Sequence, residues 1–88
     1  MNPWLDRFAA GLDPASPPPI DRDEASLILE LAGAAARSSG ARQFAPIATW
    51  LAGRAAAESD HDARLALLRR ACEAATAAGA AEEPLQPD

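Results

Sequence analysis

Apolar residues recur along this chain at helical spacing, in four stretches separated by proline, glycine or serine. In residues 2–12, Trp4, Leu5, Phe8, Ala9 and Leu12 fall at i, i+1, i+4, i+5 and i+8, one stripe of a helix. Asn2 is a suitable cap, and Pro3 suits the first helical position, where an N–H has no helical partner. Gly11 weakens the far end. Residues 13–19 cannot continue the helix, because Pro17-Pro18-Pro19 fixes φ and removes three donors. The triplet predicts a short extended spacer that turns the chain between packed helices.

The second helix is predicted over 22–38. Asp21 is its N-cap, and Glu24 three residues on completes a near capping box. Leu27, Ile28, Leu31, Ala32 and Ala35 form its buried stripe, with Leu29 on a flank. Ser38-Ser39-Gly40 ends it, Gly40 being suited to a left-handed cap. The third helix is predicted over 46–58, with Pro46 at or near its first position and Phe44 stapling the start. Ala41 to Ala45 offers an earlier turn as the alternative beginning. Ile47, Trp50, Leu51 and Ala55 are its expected core stripe. The fourth helix is predicted over 61–78, capped by Ser59 or Asp60, with Leu65, Leu68, Ala71, Cys72 and Ala75 on one face and Gly79 after its end.

The fold class expected is therefore all-α, a compact bundle or orthogonal array of four helices. Composition agrees. Among 88 residues there are 24 Ala and 10 Leu but no Val and no Tyr, so strand formers are scarce. The length allows one small domain, taken as residues 1–79, followed by a disordered acidic, proline-containing tail over 80–88. Only 19 hydrophobic residues are larger than Ala. So small a core is marginal and makes a partner protein or a homodimer more valuable to the fold.

Charge narrows the function classes. The formal net charge is −5, and Glu82, Glu83 and Asp88 place much of the excess in the tail. All eight basic residues are Arg. Net acidity argues against a nucleic-acid binder, which needs a basic face for phosphates. No apolar run is long enough for a membrane span, and the N-terminus lacks the pattern of a signal peptide. One cysteine, Cys72, permits no internal disulfide and suits a cytoplasmic protein.

Candidate chemistry is sparse. Glu58-Ser59-Asp60-His61-Asp62 sets acids beside the only His, as a divalent-metal or acid–base site would. A helix N-cap followed by first-turn acids explains the same residue types, and no metal is assigned. Cys72 needs a base to act as a nucleophile, and His61 lies about 16 Å away along the helix axis. It is read as a small buried hydrophobe. No phosphate-binding glycine loop and no Ser/His/Asp set occurs, so no catalytic residue and no cofactor is assigned and the chain is not read as an enzyme. Trp4 and Trp50 are read as core residues, although a partner-binding surface uses the same residue type. Arg37, Arg42, Arg64, Arg69 and Arg70 suit a solvated face, with anion or acidic-partner contact as the alternative.

Three pieces together carry a family resemblance: Trp4-Leu5-Asp6-Arg7-Phe8, the Leu-x-Leu-Ala rhythm within Leu27 to Ala36, and Arg42 to Gly53, which reads R-Q-F-A-P-I-A-T-W-L-A-G. Over roughly residues 2–76 the chain resembles a family of small helical bacterial domains of unassigned function. Members of that family occur alone or joined to the guanylyltransferase that makes the dinucleotide form of molybdenum cofactor. Pro17-Pro18-Pro19 and the Ala-rich last helix depart from the family pattern. The resemblance implies a setting in molybdenum-cofactor maturation, and no catalysis by this chain, which lacks the transferase's nucleotide loop.

The function expected is a non-catalytic accessory module that docks on a larger protein, with that guanylyltransferase as the first candidate partner. The expected contact residues are Arg37, Arg42, Phe44, Trp50, Arg69 and Arg70. The alternative is a small-anion or nucleotide-binding domain that uses its arginines and helix N-termini.

Overall fold

A computed structural model describes residues 2–12 and 20–83. Among these residues the fold is all-α, four helices without a sheet: α1 (Pro3–Leu12), α2 (Arg22–Ser39), α3 (Phe44–Ala56) and α4 (His61–Ala78). The proline spacer and residues 84–88 of the expected tail lie outside the described residues.

The helix boundaries follow local chemistry. Asn2 caps α1, its Oδ1 accepting from the Trp4 N–H at 2.8 Å. Asp21 caps α2 through the Glu24 N–H at 2.9 Å. Asp60 rather than Ser59 caps α4, accepting from the Ala63 N–H at 2.8 Å. Each side chain satisfies a first-turn donor that the helix itself cannot. Gly40 ends α2 at φ 83°, ψ 7°, a left-handed conformation that costs an L side chain, and its N–H closes on the Ala36 carbonyl at 3.0 Å. The earlier start of α3 is the one adopted. The Phe44 and Ala45 N–H groups bond back to Ala41 and Arg42. Pro46 then stands inside the first turn, where its missing donor leaves no gap. Phe44 is accordingly part of the helix and not a staple ahead of it.

The helices pack unequally. α2 lies against α3 and, more extensively, α4. Asp21 meets His61 at the start of α2 and α4, and Ser38 Oγ donates to the Thr76 carbonyl at 3.3 Å near their ends, so these two helices run parallel. α3 returns antiparallel between them and touches α4 least. α1 packs against none of the other three. The expectation that the spacer seats α1 in the bundle is therefore not met.

The core is small. Leu31, Leu65 and Leu68 are its large buried residues, joined by Ala34, Ala35, Ala52 and Ala56. Leu27, Ile28, Ala71, Cys72 and Ala75 close around it, as their spacing predicts. The stripe expected on α3 is not the buried one. Ala52 and Ala56 face the core, while Ile47, Trp50 and Leu51 are exposed. The reason is steric: methyl side chains let α3 approach the Leu31–Leu68 centre closely, and larger groups on that face would hold it off. Trp4 and Trp50 are 59% and 66% exposed, so neither is a core residue.

Candidate functional site

Folding assembles one polar cluster that the sequence keeps apart. It forms where α2 and α4 start side by side. His61 Nε2 bonds to Asp21 Oδ2, and Arg64 Nη2 donates to Glu24 Oε1 at 3.0 Å. Arg64 Nη1 also donates to the Ser59 carbonyl at 2.8 Å, tying the cluster to the α3–α4 turn. Asp62, the next residue along, comes only to 3.7 Å from His61 Nδ1 and is otherwise solvated. The sequence reading groups His61 with its chain neighbours, whereas its partner is forty residues away. The equal separations of Asp21 from His61 and of Glu24 from Arg64 are the signal that two parallel helices leave.

The electrostatics explain the arrangement. Two parallel helices bring two partly positive N-termini together, and carboxylates at the caps and first turns offset them. The capping N–H of Glu24 holds the Asp21 carboxyl below its ordinary pKa, and His61 adds to this. The bond to Asp21 in turn holds the His61 imidazole above its ordinary value. Asp21, Glu24 and His61 present ligand atoms within 4.8 Å of one another, a set that could meet a divalent cation. Arg64 already occupies Glu24, and Asp21 is committed to the cap of α2. A cation would have to displace that guanidinium and enter the positive field of two helix ends. The cluster is an inter-helix clamp in its chemistry.

Cys72 is partly buried on α4, its Sγ 3.7 Å from the Leu27 carbonyl oxygen. Burial, with the charges of Glu30 and Glu73, pushes its thiol pKa up, which opposes thiolate chemistry.

The six expected contact residues do not converge on one point. Arg70 and Phe44 line two adjoining apolar hollows that together make a groove between α3 and α4, floored in part by α2. The larger hollow has a volume of about 440 Å³ and the smaller one about 180 Å³, and both share Ala48, Leu51 and Ala75. Trp50 lies off this groove, exposed on α3. The Arg37 guanidinium lies over Gly33 of its own helix, where a Cβ would come within 2.8 Å of Nη1. Arg42 and Arg69 are exposed. Among the described residues, none of Arg37, Arg42, Arg69 and Arg70 enters an ion pair. Arg54 and Glu58, and likewise Arg69 and Glu73, each four residues apart on the chain, form no ion pair among the described residues. No helix among the described residues is long and apolar enough to cross a membrane.

No curated protein and no solved structure matches the chain. A family model does match, over residues 1–86, and it covers all four helices and the clamp. The chain belongs to that family, the domain of unknown function DUF6457.

Proposed function

We propose that the protein is a non-catalytic docking module that binds a larger protein through the Trp50 face of α3 and the neighbouring α2–α3 turn. The observation that carries this reading is Trp50, a tryptophan left two-thirds exposed on a helix whose core contacts are made by alanines. A large aromatic that contributes nothing to its own core gains most from burial against a partner. Arg42, exposed on the turn before α3, adds a donor fork that enters no ion pair among the described residues. The polar cluster supports the reading indirectly, since its groups are engaged in holding α2 against α4.

The resemblance of the Arg42–Gly53 motif directs the first trial to the molybdenum-cofactor guanylyltransferase of the same organism. Calorimetric titration of the full chain against that enzyme is expected to give stoichiometric binding. Trp50→Ala and Arg42→Ala are each expected to weaken it tenfold or more while the helical circular dichroism stays unchanged. Binding that both variants retain would rule out this surface. A rise in melting temperature with GTP or phosphate, without protein binding, would favour the anion-binding alternative instead.

A further inference from the structure

We infer that the α3–α4 groove is the seat of α1 from a second copy of this chain, so that two chains pair by exchanging their first helices. Two unpartnered apolar surfaces stand on the same molecule. One is α1, whose Trp4, Leu5, Phe8 and Leu12 are all exposed and whose Trp4 and Phe8 rings stack on each other, centroids 5.5 Å apart. The other is the groove, whose two sections join through Ala48, Leu51 and Ala75.

Their dimensions agree. The ten residues of α1 span about 15 Å, and the groove follows α3 from Phe44 to Ala55, about 18 Å at the same rise. Alanines pave much of its floor, leaving room for the Trp4, Phe8 and Leu12 side chains as i, i+4 and i+8 anchors, the usual mode of a helix in a groove. α1 packs against no helix of its own chain, so the copy that supplies the helix is the partner.

Area favours the exchange as well. At aromatic side-chain areas of about 150–250 Å² and proportionate values for leucine, the exposed stripe of α1 offers roughly 350 Å². With the smaller area that the groove lining presents, and both dockings made in a two-fold pair, about 1,000 Å² is covered, which reaches the size at which an interface becomes specific. A core with three large buried residues gains correspondingly from that addition.

The test is light scattering on a sizing column with the full chain at about 100 µM, a concentration at which a micromolar dimer is fully formed. The expected mass is twice the 9.1 kDa of the chain. Phe8→Glu, on α1, and Leu51→Glu, in the groove, should each raise the dimer dissociation constant at least tenfold with the bundle still helical. Mixed in equal amounts they should recover a heterodimer, because one intact α1 then meets one intact groove. A monomer mass for the unaltered chain would overturn the inference. So would a dimer indifferent to Phe8→Glu, or a mixture that stays monomeric. Trp50 lies outside this interface. Trp50→Ala should therefore keep the dimer mass while losing the docking partner, which separates failure of this inference from failure of the proposed function.

Discussion

His61 is the residue whose environment differs most from the one its sequence neighbours suggest. The sequence reading places it in a run of acids that cap α4, and Asp60 does cap α4. The imidazole instead crosses to Asp21 and joins α2 to α4. A pH signature follows. His61 is held above its ordinary 6.5, so its contribution to stability is whole below about 6.5 and is lost as pH rises through the raised value. Asp21 is held below its ordinary 3.8, so its share is whole above about 3.8 and is lost as acid carries pH down through the lowered value. Melting temperature should therefore fall as pH rises from about 6.5 through that raised value in the native chain and stay level in His61→Gln. Parallel curves for the two proteins would show that the His61–Asp21 bond adds nothing to folding. Arg64 keeps its charge throughout this range and holds Glu24 in both.

The helices differ in how fully their sequence patterns account for their packing. On α2 and α4 the apolar stripe is the buried face, because leucine on those faces fills the space between two parallel helices. On α3 the stripe of largest residues points away from the centre and the alanines point in. Periodicity identifies a helix and its amphipathic faces, but size decides which face a crowded centre admits. Two leucines two positions apart on α2 express the same distinction. Leu31 is 2% exposed and Leu29 is 73% exposed. Leu31→Ala should cost about 2–5 kcal/mol in urea unfolding, whereas Leu29→Ala should fall within about 0.5 kcal/mol of the native chain. Equal costs would mean that α2 is rotated from the orientation described.

At the scale of the molecule the bundle is formed by α2, α3 and α4, and two apolar surfaces remain uncovered: α1 and the α3–α4 groove. The tryptophans report on the α1 surface and on a third one, the outward face of α3. Trp4 belongs to the α1 surface and Trp50 to the outward face of α3. In Trp50→Phe, fluorescence comes from Trp4 alone, and its emission should shift to the blue as protein concentration rises through the dimer dissociation constant. In Trp4→Phe the remaining Trp50 emission should stay red-shifted at every concentration and move only when a docking partner is added. A Trp4 emission independent of concentration would count against the exchange of first helices. The same small core that leaves these surfaces open accounts for the value of covering them.

The sequence by itself determined the four helices and, apart from α3, which is predicted over 46–58 and runs from Phe44 to Ala56, their ends. Capping by Asn2, Asp21 and Asp60 and the glycine stop at Gly40 act within a few residues, so composition and spacing suffice to locate them. It also made the leucines of α2 and α4 recognisable as core. Only the tertiary structure decided that α2 and α4 lie parallel, and with that the meeting of Asp21 and Glu24 with His61 and Arg64. It likewise decided that alanines rather than Trp50 and Leu51 face the centre, and that α1 stands apart. These outcomes depend on which surfaces compete for one small volume. Each helix carries its own periodicity, but that competition is settled by all of them together.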